Sequence, residues 1–102
     1  MIMNAFESHL DLSAGVVIGQ PVVRRRLSDL RGAFDDAAAY DSALAEADSL
    51  VYTVSSVEAG AGDGDLHYGL GLIMPGQVGG EYYLTKGHIH RWRDAAEVYI
   101  GL

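Results

Sequence analysis

The residues best suited to chemistry lie near the end of the chain, in Thr85-Lys86-Gly87-His88-Ile89-His90, followed by Glu97. Side chains alternate along a strand, so His88 and His90 point to one face if this stretch is extended. Six residues, Arg91 to Ala96, separate His90 from Glu97. A turn at 91–95 would bring the chain back antiparallel and set Glu97 opposite the two histidines. Two imidazoles and a carboxylate meeting at one point make a ligand set for a divalent transition metal, with positions left for a substrate. The other reading is two surface or core histidines beside a separate glutamate. Glu97 favours the first, because a carboxylate inside an apolar strand is costly unless it is paired or bound to metal. The residues by themselves leave both open.

The elements that would hold these groups are mostly strands. Leu50-Val51-Tyr52-Thr53-Val54 is β-branched and aromatic, as strands are. Leu66 to Met74 reads as a return strand, Glu81 to His90 as another and Ala96 to Leu102 as a last apolar strand, which gives an antiparallel meander. Ala59 to Asp65 is a glycine–aspartate turn. Its acidic spacing does not fit a calcium loop of the EF-hand kind. Pro75-Gly76 and Gly79-Gly80 bracket a further turn. Upstream, Val16-Val17-Ile18 is a short apolar patch and Pro21-Val22-Val23 suits a strand start or edge. Ser28-Asp29-Leu30-Arg31 offers helix-starting residues that Gly32 interrupts. One helix is predicted at 36–47, where alanines follow Asp35 and Asp36, residues favoured at a helix start. Its expected role is packing against a sheet.

Composition narrows the function. The chain has 102 residues, 49% apolar and 21% charged, which suits one small domain. Thirteen glycines against two prolines match many tight turns. Fourteen acidic residues against seven basic ones give a net charge of −7, the opposite balance from a nucleic-acid binder. The basic residues form two islands: Arg24, Arg25, Arg26 and Arg31, then Lys86, Arg91 and Arg93, with no lysine or arginine from 32 to 85. The arginine run reads as a solvated strand end or a salt-bridge donor. There is no cysteine, so a metal must be held by histidine and carboxylate. No secretory signal and no apolar run long enough for a membrane span is visible, and the cytoplasm is the expected location.

His-x-His followed by Glu within a glycine-punctuated β meander resembles the first motif of the cupin superfamily. The spacing to Glu97 is longer than in most cupins. Together with Thr85-Lys86-Gly87-His88-Ile89-His90 and Ala96-Glu97-Val98-Tyr99, it resembles the cupin-type glucose-6-phosphate isomerases of archaea and bacteria. Arg25-Arg26-Leu27-Ser28-Asp29-Leu30, Val51-Tyr52 and Pro75-Gly76-Gln77-Val78-Gly79 look like that family too, so the resemblance runs nearly the length of the chain. It implies a mainly β cupin barrel (a double-stranded β-helix, jelly-roll-like) and aldose–ketose isomerisation between glucose 6-phosphate and fructose 6-phosphate. His88, His90 and Glu97 match its metal ligands, for Fe2+ first, with Mn2+, Ni2+ or Zn2+ as alternatives. Tyr52, Thr85 and Gly87 match positions associated with the phosphorylated sugar, and Tyr99 a cavity tyrosine. Glu97 would act as general base through an enediol or would tune the metal while a hydride moves.

Two departures stand out. The family's fourth ligand, a histidine in a second motif, has no counterpart in these 102 residues, and Leu70 and Gly71 stand where archaeal members tend to have threonines. Strand alternation also puts Lys86, not Thr85, on the histidine face, unless Gly87 kinks the strand. The expectation is therefore a single cupin domain over 1–102 that stops after the first metal motif. Its apolar end strand would stand at an open edge, leaving the domain marginally stable or prone to associate through it. Partners are a small phosphorylated sugar and a second copy in a homodimer, with no nucleic acid or membrane. The alternatives are another metal-binding cupin, either sugar-binding or an iron-dependent oxygenase, or an inactive fragment.

Overall fold

The computed structural model describes residues 9–57, 66–86 and 96–97. It is mainly β, with one α-helix. Eight strands fall into three sheets: a hairpin of β1 (Leu10–Asp11) and β2 (Val16–Val17), a four-stranded sheet, and a hairpin of β6 (Gln77–Val78) and β7 (Glu81–Tyr82). The four-stranded sheet has the order β3 (Val22–Arg26), β4 (Leu50–Val57), β5 (Leu66–Ile73), β8 (Ala96–Glu97). Its first two pairings are antiparallel, with Tyr52 opposite both Arg25 and Ile73. Among the described residues the strands do not close into a barrel, which agrees with part of the expected cupin fold. No helix among them is long and apolar enough to cross a membrane.

The helix α1 spans Ala37–Glu46, inside the predicted range. Its start is chemical: the Asp36 carboxylate accepts from the Ala39 amide at 2.9 Å, supplying one of the partners that the first turn lacks. The segment at Ser28 forms a single 3-10 turn, Leu27–Leu30; Arg31 already leaves it at ψ 128°, and Gly32 then takes φ +85°, a left-handed value that glycine adopts freely. Asp48 ties this turn to the start of β4. Its two carboxylate oxygens accept from the Ser28 amide at 2.9 Å and the Ser28 hydroxyl at 2.7 Å. These bonds, Ser28 being their donor, hold the Asp48 carboxyl below its ordinary value of 3.8, and Arg26 lowers it a little further.

The core gathers Leu27, Leu30, Phe34, Tyr40, Val51, Tyr52 and Val78. Tyr40 enters it with its polar end satisfied, the hydroxyl donating to the Leu27 carbonyl at 2.5 Å. The β1–β2 hairpin is fastened to the main sheet by Ser55, which is fully buried. The Ser55 hydroxyl accepts from the Val17 amide at 3.0 Å and donates to the Val17 carbonyl at 3.3 Å. A side chain thus supplies the pairing that a neighbouring strand would otherwise give.

Two expectations need correction. Gln77–Val78 is a strand, and the turn is Gly79-Gly80 itself, a two-residue hairpin turn with φ +59° at Gly79. Of the strand expected from Glu81 to His90, the described residues are strand only at Glu81–Tyr82; the Tyr83 amide continues the same pairing to the Gly76 carbonyl, and the Lys86 amide turns instead to the Tyr52 hydroxyl. β8 lies parallel to β5, with Leu66 opposite Ala96 and His67 opposite Glu97; the expected return of Glu97 against the histidine stretch lies outside the described residues. The predicted turns at 59–65 and 91–95 and the strand end at 98–102 lie outside the described residues.

Candidate functional site

Tyr52 is the third residue of β4 and is itself 5% exposed. Its ring packs in the core, and its hydroxyl accepts from the Lys86 amide at 3.2 Å. That bond crosses 34 residues of sequence and draws the segment 83–86 back over the end of β4. Tyr83 and Leu84 pack against the core beside it, while Thr85 and Lys86 remain exposed. Between this segment and the 3-10 turn opens a cleft of about 410 Å³. Asp29, Leu30, Arg31, Gly32 and Ala33 form one wall, and Leu84, Thr85 and Lys86 the other.

Two of the sequence-predicted sugar residues, Tyr52 and Thr85, are therefore brought to one place. Tyr52 touches the second wall at Lys86 and Thr85 lines the cleft. The alternation that separated Thr85 from Lys86 does not apply, because residues 83–86 are not in a strand. Both line the same cleft. Gly87, His88, His90 and Tyr99 lie outside the described residues. Glu97 is described at its backbone, where it is the register partner of His67. Among the described residues no three histidine, aspartate or glutamate side chains are grouped to hold a metal. The fit of a metal therefore rests on donor chemistry. Two imidazoles and a carboxylate suit a divalent transition ion.

Sequence reasoning did not connect Asp29 and Arg31 with this cleft. The two basic islands at 24–31 and 86–93 each contribute one residue, Arg31 and Lys86, to its lining, while the Arg31 guanidinium itself is engaged by Asp41 and the Tyr40 ring.

A family model for glucose-6-phosphate isomerase matches residues 24–102. The chain belongs to that family. The match takes in the 3-10 turn, β4, β5 and both walls of the cleft, leaving out residues 1–23, which include the β1–β2 hairpin and the first residues of β3. Among curated relatives, the glucose-6-phosphate isomerase of Thermococcus kodakarensis is 44% identical over 93 residues, which cover 91% of this chain and 49% of the relative. That of Pyrococcus furiosus is 38% identical over 102 residues, 100% of this chain and 54% of the relative. A bacterial glucose-6-phosphate isomerase, from Sinorhizobium medicae, is 44% identical over 80 residues, 76% of this chain and 37% of the relative. The chain spans about half the length of the archaeal relatives it matches. As a glucose-6-phosphate isomerase family member it thus carries, in its described part, the region that assembles Tyr52 with the Thr85-Lys86 segment.

Proposed function

We propose that this chain belongs to a metal-dependent isomerase that interconverts glucose 6-phosphate and fructose 6-phosphate in the cytoplasm, as a homodimer. The observation that carries the reading is the Tyr52–Lys86 bond, which seats Thr85 in a cleft beside a tyrosine of the sugar-binding set. The relatives' names supply the reaction. In this reading His88, His90 and Glu97 hold one divalent ion, Fe2+ first among the candidates. When bound, such an ion polarises the oxygens of the open-chain sugar as a Lewis acid.

The chain's own residues do the rest. Thr85 and Gly87 receive the phosphate, with the Tyr52 hydroxyl fixing the segment that bears them. This orients carbons 1 and 2 toward Glu97 and Tyr99, and holding a substrate in register is worth a large part of a barrier. Glu97 moves the proton between carbon 2 and carbon 1 as general base.

The test is a coupled assay for fructose 6-phosphate on the 102-residue chain supplied with Fe2+, using glucose 6-phosphate deuterated at carbon 2. Turnover that disappears with a chelator and in His88→Ala supports the reading. Deuterium lost to water supports Glu97 as the base, whereas deuterium retained at carbon 1 means a hydride shift and removes that role. Sugar phosphate bound without turnover by this chain and by a version extended to the relatives' full length would mean a sugar-binding cupin and would overturn the isomerase; turnover by the extended version alone would mean that these 102 residues are an inactive fragment of it.

A further inference from the structure

Of the expected metal ligands, Glu97 alone falls among the described residues, and its neighbour in the sheet is a histidine. β8 lies parallel to β5 with His67 level with Glu97. Residues level with one another on neighbouring strands share a face of the sheet, their backbones about 4.8 Å apart. The rest of β5 tells which face this is. Alternation puts His67, Gly69, Gly71 and Ile73 on one side of the strand. The register with β4 sets Ile73 opposite Tyr52 and Gly71 opposite Val54. His67 and Glu97 therefore share the face of Tyr52, the tyrosine of the sugar-binding set. Between His67 and Ile73, β5 gives that face only its two glycines. At Gly71 an added Cβ would meet, among the described residues, only the Thr53 carbonyl at 3.8 Å. The strand thus brings one residue with functional chemistry to this face, followed by bare backbone.

A carboxylate that binds a metal through one oxygen keeps the other for a hydrogen-bond donor, and such donors aim the ligand. A neutral imidazole carries one N–H. A carboxylate has about four lone-pair sites, so a donor held at one leaves others for the ion and for a proton. We propose that His67 is a positioning residue for Glu97, level with it across the β5–β8 pair, and that its N–H fixes the carboxylate toward the metal. The inference rests on the reading of Glu97 as a metal ligand and deepens it.

Metal alone is the probe. The 102-residue chain and the version extended to the relatives' full length are titrated with Co2+, by calorimetry and by visible absorption. The extended version decides where the two differ. His67→Leu should weaken Co2+ binding about 10–100-fold, the usual cost of losing a donor to a ligand. His67→Asn and His67→Gln each place an amide donor near one of the two ring nitrogens, so one of them should recover most of the affinity. At saturation the Co2+ bands of His67→Leu should keep the parent's position and intensity, because the ligands themselves are unchanged. With Glu97→Ala already present, adding His67→Leu should cost no further affinity, since the donor then has no carboxylate to aim. Circular dichroism accompanies each variant, and His67→Val, a better strand former, replaces His67→Leu if that variant unfolds.

Parent affinity in His67→Leu overturns the inference while a loss in Glu97→Ala keeps the metal reading. A loss in His67→Leu that neither amide repairs, or that persists in full without Glu97, overturns it as well. Altered Co2+ bands in His67→Leu at saturation would make His67 a ligand and end its positioning role. If neither version binds Co2+, or if Glu97→Ala binds it normally, the metal reading of Glu97 falls and the role of His67 falls with it.

Discussion

Tyr52→Phe removes one oxygen from the structure and tests how the Thr85 segment is held. The ring keeps its place in the core, so the burial of an aromatic side chain is retained. What goes is the hydroxyl that accepts from the Lys86 amide. At 3.2 Å the bond lies at the long end of the N–H···O range, and the amide is only part-buried, so water can replace part of what is lost. These two facts place the cost at the lower end of the usual net value, about 0.5–1 kcal/mol. For a domain of this size that lowers Tm by about 2–8 °C. The same energy should raise the local opening of the segment, and the exchange rate of the Lys86 amide, about two- to fivefold. Tyr52→Ala also empties the ring site and should cost about 3–5 kcal/mol. Urea unfolding of the two variants, with amide exchange on Tyr52→Phe, gives both numbers. Unchanged exchange at Lys86 would show that the hydroxyl does not hold the segment. A Tyr52→Phe loss as large as that of Tyr52→Ala would show that the polar end, and not the ring, carries the stability.

Other consequences follow from single contacts. Ser55→Ala strips both partners from the Val17 backbone in a buried position and should cost about 1–3 kcal/mol by urea unfolding, with faster exchange at the Val17 amide. Gly79→Ala must hold a left-handed φ and bring a methyl within 3.2 Å of both the Ala39 Cβ and the Asp36 carboxylate, so it should cost about 1–2 kcal/mol. Gly80→Ala, where a Cβ meets nothing within 4 Å, should stay within about 0.5 kcal/mol by the same denaturation curve. The Asp48 carboxyl is depressed in the folded chain, so its contribution is present above the ordinary value of 3.8 and is lost as pH falls through the lower folded value. Stability measured from pH 6 down to 2 should therefore fall less steeply below about pH 4 in Asp48→Asn than in the parent chain; equal slopes would remove Asp48 from the acid response.

Local signals were legible wherever one short stretch decides its own structure. Asp36 before a run of alanines marks α1, because a capping carboxylate and good helix formers act within one turn. The β-branched and aromatic residues from Leu50 announce β4, although the strand runs on to Val57. Leu66 to Ile73 was equally plain as β5. The family was readable from the motif Thr85-Lys86-Gly87-His88-Ile89-His90 with Glu97, because the types and spacing of such groups are properties of the sequence itself.

The tertiary structure decided which segments meet. Alternation along Glu81 to His90 implied a continuous strand, but pairing needs a partner. The Tyr83 amide still finds one at the Gly76 carbonyl, in the β6–β7 register, but the Lys86 amide finds its partner at the Tyr52 hydroxyl, so the segment turns away from the hairpin after Tyr83. Nothing local in Ala96-Glu97 specifies a parallel neighbour; β8 lies beside β5 because backbone groups pair wherever packing brings an open edge. Ser55 taking the place of a strand for Val17, Tyr40 reaching Leu27, and the Lys86 amide reaching the Tyr52 hydroxyl have the same origin. Each joins residues distant in sequence, and such contacts form only when the burial of a shared core offsets the entropy of closing the loops between them.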